Sequence, residues 1–514
     1  MEKSIQSTTN LTVLILAAGY GRRMGPFSRM VNKSLIPYNN KPLISHIMAK
    51  FPNDTRFVIA CGNLGQQVKD YVTKVHRDKN ITLIDIPEFS EGTTGPATTI
   101  QYCASALHGP FMWISCDTLF EFTYEDKLDH SWIAVHPVDS SVSQDYCWVE
   151  RDGNNIVSVK NKVKANHAVD AFIGLMYVED ITYLARLEEL RAREVFEGFP
   201  ENLRAYTVTE WKDFGTYDKW KTLSEDLPEM SFPKPDELFY KDNGKIIKFT
   251  TNPELAELRY QRAQLNKGCM PANVSFNGNF LFYDCAPGET LYSCLTPVLF
   301  EEFLSWAETK LWKPIISAKD NFSTADGFYR KKTYERLEKF RIKYSTWAEM
   351  PIVNGHDVNP INEYIDNIDF HWLADETCWC FTHGDLQFDN IIYDKDTKTF
   401  TAIDWRTDFS GDKYGDIYYD LAKMLGGFYL SYKLVKDGLL DYKELADEAI
   451  INIPSVEHLD VYVTMLQEWT MRNKLNWKKV QTLLPVIYLN MAPLHDAPFD
   501  KYLIALAQLM FSQL

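Results

Sequence analysis

Two stretches of the chain combine glycine, acid and base in patterns that suit phosphate chemistry. The first is VLILAAGYGRRMG, Val13 to Gly25, in which Gly19, Gly21 and Gly25 follow an apolar run. A glycine-rich turn after a buried strand lets backbone amides approach a polyphosphate closely. The spacing is not the dinucleotide fingerprint G-x-G-x-x-G, because Met24 takes the third glycine's place, and no Walker A loop occurs. On the glycines alone, a tight strand-to-helix turn is the alternative. The second stretch is THGDLQFDN followed by AIDWR. Asp385 stands five residues before Asn390, and Asp404 follows in the next apolar segment.

More of the first pattern lies downstream. Lys33 sits in NKSLIP, and KPLI, EGTTGPA, SCDTL, FIGLMYV and WKDFGTYDKW follow in order up to Trp220. Together these motifs resemble the nucleotidyltransferase superfamily that makes nucleoside-diphosphate sugars and CDP-alcohols, over about residues 10–220. The resemblance implies attack of a phosphate oxygen on the α-phosphorus of a nucleoside triphosphate, with loss of pyrophosphate. Arg23 and Lys33 would clamp the triphosphate, and Ala17, Ala18, Gly19 and Gly21 would form the nucleotide-binding loop. Gly92 and Thr93 would read the base with backbone groups. Asp117, ending an apolar strand, and Asp213, in W-x-D-x-G-T, would hold Mg²⁺. Lys162 is the candidate for gripping the acceptor phosphate, although the family's preceding glutamate is absent; a solvated surface lysine is the alternative. The short first domain resembles phosphocholine cytidylyltransferases more than the larger sugar-specific enzymes, so CTP is the expected donor.

The second pattern, with GDIYYDLAK at 415–423, resembles the aminoglycoside phosphotransferase and choline kinase group, relatives of protein kinases. There the first aspartate, here Asp385, accepts the proton of the substrate hydroxyl, and Asn390 and Asp404 hold Mg²⁺. His383 would brace the loop, with Asp416 and Asp420 as anchors. For the small-lobe lysine and glutamate the choices are Lys248, with Lys245 as alternative, and Glu257, with Glu254 as alternative. LFYDCAPGETL resembles the hinge, placing adenine near Tyr283 and Cys285. Arg406 replaces the glutamate typical of choline kinases after IDW, which suits a neutral or anionic acceptor, or pairing with Asp408. A choline-type acceptor would want an aromatic cage. Trp132, Trp148 and Trp405 are candidates, against the commoner role of core packing.

The elements that must position these residues follow from the rest of the chain. At 514 residues, two or more domains are expected. Short apolar runs alternate with helical segments over the first ~220 residues, the signature of a mostly parallel sheet with crossovers. This predicts an α/β fold: a Rossmann-like nucleotidyltransferase domain at about 1–226, a Pro- and acid-rich linker at 227–237, and a two-lobed protein-kinase-like domain at 238–514. Its small lobe would span about 238–292 and its large, mostly helical lobe about 293–514, with Asn252 capping a helix that starts at Pro253.

A net charge of −16 excludes a broad nucleic-acid-binding face but not nucleotides. Nine scattered cysteines fit a reducing compartment and no structural zinc. The run at 11–18 is short for a signal peptide core, and no run approaches the ~20 apolar residues of a membrane span, so a soluble cytoplasmic protein is expected. The two resemblances join into one expectation. ATP phosphorylates a small alcohol, and a nucleotide from CTP then caps the phosphate ester, both steps with Mg²⁺, giving a precursor for cell-surface polysaccharide or lipid decoration. A sugar kinase fused to a sugar-1-phosphate nucleotidyltransferase using UTP, GTP or dTTP is the alternative. A binding or regulatory protein with one inactive domain is another.

Overall fold

The structure, a computed structural model, describes residues 11–87, 95–199, 202–224, 236–315, 321–375, 377–430, 434–435, 437–453 and 457–514. The chain divides into two compact units, Met1–Glu257 with Ser275–Phe282, and Leu258–Val274 with Tyr283–Leu514. The linker predicted at 227–237 lies outside the described residues except at Asp236 and Glu237.

The first unit is built on a nine-stranded sheet. In spatial order its strands are Asn80–Asp85, Arg56–Cys61, Thr12–Ala17, Phe111–Ser115, Val169–Val178, Trp132–Val138, Arg204–Thr207, Asn155–Asn161 and Cys147–Asp152. The first four run parallel, as fits a doubly wound core. Val169–Val178 then runs antiparallel to both of its neighbours, and the far edge adds further antiparallel pairs. The expected mostly parallel sheet is therefore a mixed one. Apolar periodicity reports that a strand is buried, not which way it runs.

Alternation along each strand divides the core into two layers. Val13 and Ile15 of Thr12–Ala17 join Phe57 and Ile59 on one face, while Leu14 joins Val58, Ala60 and Trp113 on the other. Helix Gly65–Val75 covers the first face through Val68, Tyr71 and Val72. Helices Pro96–Tyr102 and Thr182–Glu189 cover the second through Ala97, Ile100, Tyr183 and Leu187.

Residues 238–292, read from the sequence as one small lobe, are divided between the units. Strands Glu237–Asp242, Lys245–Thr250 and Ser275–Asn277, with the start of Phe280–Asp284, pack into the first unit through Tyr240, Ile247, Phe249, Phe280 and Phe282. Polar ties pin them there: Tyr240 Oη donates to Leu35 O at 2.7 Å, and Lys41 pairs with buried Asp242 at 3.0 Å. The helix predicted from Pro253 runs Pro253–Leu265, and Asn252 Oδ1 accepts from Glu254 N at 3.0 Å.

The second unit is mainly helical. Helix Ile417–Tyr429 is buried from Ile417 to Phe428, as befits a helix that is apolar on nearly every side. Pro297–Trp306, Leu459–Arg472 and Trp477–Met491 are further long helices, and Phe428 stacks on Tyr462 at 5.3 Å. One sheet was not anticipated: His356–Asp357, Ile352–Val353, Glu448–Ile451 and Tyr442–Leu445 pair in that order. Its strands are two to four residues long and carry no clear period-2 pattern.

Candidate functional site

In the first unit the glycine turn follows directly from the Thr12–Ala17 strand. Gly21 has φ 62°, a left-handed conformation that favours glycine, and its carbonyl accepts from Met24 N at 2.8 Å. Asn32 fixes the strand exit by donating to Ala17 O at 2.9 Å and Asn63 O at 2.7 Å. The turn holds Lys33 and Arg23 on the same side. A side-chain carbon at Gly21 would touch Lys33 Cβ at 3.4 Å, and one at Gly215 would lie 3.8 Å from Arg23 Nη2.

Asp117 ends the run after Phe111–Ser115, and Asp213 ends Glu210–Asp213. Strands Thr118–Glu121 and Glu210–Asp213 pair antiparallel with Asp213 opposite Thr118, and Phe214 N donates to Asp117 O at 2.9 Å. Backbone pairing thus brings together two acids that are 96 positions apart, Asp117 and Asp213. Each carries its own lysine. Lys33 Nζ bonds Asp117 Oδ2, and Lys219 Nζ donates to Asp213 Oδ2 at 2.6 Å and to Tyr146 Oη at 2.6 Å. Tyr146 Oη in turn donates to Asp213 Oδ2 at 2.8 Å, and Gly215 N to Asp213 Oδ1 at 2.7 Å.

Burial opposes charge on Lys33 and Asp117 alike, but their mutual attraction outweighs it. Lys33 is held above the ordinary lysine range, and Asp117 below the carboxylate range with added help from Arg23. Burial likewise works against Lys219, and Asp213 with Tyr146 raises it overall. Lys219 and Tyr146 were missed by sequence reasoning, although Lys219 lies in the GTYDKW run, two residues into the helix that begins at Tyr217. Lys162 is exposed; its backbone N donates to Tyr146 O at 2.9 Å, and its charge acts on Glu194. Gly92 and Thr93 lie outside the described residues.

The second unit gathers Asp385, Asn390 and Asp404. Asp420, fully buried, accepts from His383 N and Gly384 N at 2.7 Å each and from Trp312 Nε1 at 3.0 Å. Burial pushes the Asp420 carboxyl up, against those donors. His383 Nδ1 accepts from Asp385 N at 3.2 Å, so Nε2 carries the proton and donates to Ile403 O at 2.8 Å. Burial keeps this imidazole neutral by lowering its pKa. Gly384 has φ 82°, and a side-chain carbon there would meet Arg406 Cδ at 2.7 Å, so glycine is required.

Asn390 Nδ2 donates to Asp385 O at 2.9 Å, and Ile403 N to Asn390 O at 2.9 Å. The hairpin Ile391–Asp394 with Thr399–Ala402 therefore sets Asp404 beside Asn390. Lys423 Nζ pairs with Asp385 Oδ1 at 2.9 Å. Burial would raise the Asp385 pKa, but Lys423 outweighs it and lowers it. Arg262, also missed from the sequence, is buried and donates to the carbonyls of Lys413, Arg406 and His383 at 2.9, 2.7 and 3.4 Å, and to Thr382 O. Burial brings its pKa down to about 10.

Tyr283 is buried with its ring 5.8 Å from Trp405, and Cys285 is half-buried two residues on. Lys248 pairs across the small sheet with Phe239, and Glu257 lies on Pro253–Leu265, both within the first unit. Trp132, Trp148 and Trp405 are core residues whose indole N–H groups donate to the carbonyls of Lys127, Val163 and Arg259.

Among the described residues no three His, Cys, Asp or Glu side chains gather into a metal-binding group. Asp117 with Asp213, and Asn390 with Asp404, are hard oxygen donors of the kind Mg²⁺ takes while keeping water and phosphate ligands. No described helix is long and apolar enough to cross a membrane.

Residues 13–190 match the MobA-like NTP transferase domain. The chain is similar to the mannose-1-phosphate guanylyltransferase catalytic subunit beta of Drosophila pseudoobscura pseudoobscura, 25% identical over 225 residues, or 39% of this chain and 58% of that protein. The corresponding Danio rerio protein is 24% identical over 230 residues, 40% of this chain and 61% of that one. Mannose-1-phosphate guanyltransferase of Schizosaccharomyces pombe is 24% identical over 119 residues, 23% of this chain and 33% of that one. The chain thus spans about a third to three fifths of these relatives' length. Among solved structures, UDP-glucose pyrophosphorylase from Acinetobacter baumannii is 12% identical with a TM-score of 0.36, covering 42% of this chain and 92% of that one.

Proposed function

We propose that the chain activates a small hydroxyl compound in two steps, phosphorylation by ATP in the second unit and nucleotidyl transfer in the first. The observation that carries the nucleotidyl step is the convergence of Arg23, the Lys33–Asp117 ion pair and Asp213 below a glycine turn at the end of the Thr12–Ala17 strand. There a phosphate-ester oxygen attacks the α-phosphorus of a nucleoside triphosphate. A new P–O bond forms, the bond to the β-phosphate oxygen breaks, and pyrophosphate leaves. Amides of the turn with Arg23 and Lys33 hold the triphosphate and stabilise charge on the departing pyrophosphate. Asp117 and Asp213 would hold Mg²⁺, which supplies charge neutralisation for the phosphates when bound.

In the second unit the low pKa of Asp385 keeps it ionised at neutral pH, ready to accept the acceptor's hydroxyl proton. Asn390 and Asp404 would hold Mg²⁺ there. Asp420 and His383 fix the loop that aims Asp385. The order of the steps is chemical: the ester made by the second unit is the nucleophile the first unit needs. CTP with an alcohol phosphate is the donor and acceptor pair read from the sequence. The likeness to mannose-1-phosphate guanylyltransferases favours a second pair, GTP with a sugar 1-phosphate.

Purified full chain, assayed for pyrophosphate with each of CTP, GTP, UTP and dTTP against a panel of alcohol phosphates and sugar 1-phosphates, separates the two pairs. Pyrophosphate release that depends on an acceptor phosphate is the expected result. Release that ignores the acceptor, or none with any combination, would refute nucleotidyl transfer.

A further inference from the structure

The walls beside Asp385 are cationic. Phe328 stacks on Phe409 at 3.8 Å and carries Lys332 Nζ 3.8 Å from its ring centroid, with Arg406 Cζ at 5.3 Å. Lys332 Nζ also stands 5.5 Å from the Tyr419 ring. The Arg406 stem runs against Gly384, the residue before Asp385. Arg336 lies one turn after Lys332 on helix Lys332–Lys343 and so shares its face.

The charges in this group do not cancel. Lys423 is matched by Asp385 itself. Among the described residues, Lys332, Arg336 and Arg406 make no ion pair with a carboxylate. Arg406 Nε reaches only the Asp408 carbonyl, at 3.4 Å, while the Asp408 carboxylate accepts from Thr407 and Gly411. Arg406, Lys423 and Arg336 push the half-buried Lys332 ammonium well below its usual range, after burial itself; Asp385 acts in the other direction. Glu335 is exposed, and its charge acts on Arg336. A cluster of like charges held at partial burial is unfavourable unless an anion completes it.

We infer that the hydroxyl compound phosphorylated at Asp385 carries an anionic group, a carboxylate or a phosphate, bound by Lys332, Arg336 and Arg406. This rests on the phosphotransferase reading of the second unit. The acceptor's hydroxyl oxygen attacks the γ-phosphorus of ATP, the bond from that phosphorus to the β-phosphate oxygen breaks, ADP leaves, and the hydroxyl proton passes to the Asp385 carboxylate. Anchoring the anion on this wall orients the hydroxyl toward Asp385. A quaternary ammonium would meet three like charges at the same place.

Four three-to-five-carbon probes test the inference with the full chain and MgATP: glycerol, choline, D-glycerate and glycerol 3-phosphate, assayed for ADP. One or both anions should be used with kcat/KM at least about tenfold above glycerol and choline. Glycerate and glycerol 3-phosphate distinguish carboxylate from phosphate. Lys332→Met and Arg336→Met should each raise KM for the preferred anion about tenfold, the cost of one charge-assisted contact, with less than twofold change in KM for ATP. Arg336→Met serves if Lys332→Met fails to fold. Preference for choline or glycerol, a KM for the anion indifferent to both variants, or a rise in the KM for ATP instead would overturn the anionic site alone. ADP release that ignores every acceptor and survives Asp385→Asn would overturn the phosphotransferase reading, and this inference with it.

Discussion

Asp420 offers a test of the second unit that needs no substrate. It has no solvent exposure, and its two oxygens serve three donors: Oδ2 takes His383 N and Trp312 Nε1, and Oδ1 takes Gly384 N. Asparagine can reproduce only one of those oxygens. The carbonyl belongs at the Oδ2 position, where it satisfies two donors, and the amide N–H then faces the Gly384 N–H. Leaving that buried N–H without an acceptor costs about 1–3 kcal/mol, and turning two charge-assisted bonds into neutral ones costs about 1 kcal/mol each. The raised pKa of Asp420 shows that burial penalises its charge, so removing the charge returns part of the loss. The net expectation for Asp420→Asn is a destabilisation of about 2–4 kcal/mol. Urea unfolding of the second unit, together with deuterium uptake by the peptide containing His383 and Gly384, reports it. A variant within about 0.5 kcal/mol of the wild type, with the loop exchanging no faster, would refute the view that this carboxylate holds the loop.

Asp117→Asn should abolish pyrophosphate release from a supplied phosphate ester and spare ADP formation, while Asp385→Asn does the reverse; loss of both activities in either folded variant would contradict independent sites. Lys219→Met removes the cation that holds Asp213 and Tyr146, and should lower kcat/KM for the nucleoside triphosphate about tenfold or more without moving ADP formation. Chelating Mg²⁺ with EDTA should stop both reactions, with recovery on adding Mg²⁺ back; full activity in EDTA would exclude the metal roles of all four proposed ligands. Burial lowers the His495 pKa to about 4, so its neutral form stabilises the fold above its unfolded pKa of about 6.5. That contribution falls away as pH drops from about 6.5 toward 4, and His495→Gln should flatten the stability profile over this window, which denaturation at stepped pH would measure.

Which parts of the two candidate sites were legible in the sequence follows from how each residue is positioned. Asp117, Asp213, Asp385, Asn390 and Asp404 are set by backbone: strand ends, a turn and a hairpin whose local sequence is itself distinctive. A strand end points a short side chain in one direction, so position in the motif is nearly position in space. Glycines obey the same logic, since Gly21 and Gly384 sit where φ is positive and another residue would strain or collide. The sheet's direction was not legible, because a buried antiparallel strand such as Val169–Val178 reads as the same apolar run as a parallel one.

Several of the long cations were not legible, and their reach explains why. Lys219, Arg262, Lys332 and Lys423 each act through a head group several bonds from the backbone, so many sequence separations can deliver the same charge to one point. Arg262 meets carbonyls 120 to 151 positions away. Lys332 and Arg336 sit on a helix whose sequence, KKTYERLEKFRIK, gives every appearance of a solvated face. Only the fold shows that one edge of that face turns toward Phe328 and Arg406. On the proposed function, the acids would mark where phosphate chemistry occurs, whereas the cations, gathered from distant segments, would decide which compound is held there. Acceptor choice can then change through a few lysines and arginines while the acidic frame stays fixed, and exchanging Lys332, Arg336 and Arg406 should redirect the second unit before it disables it.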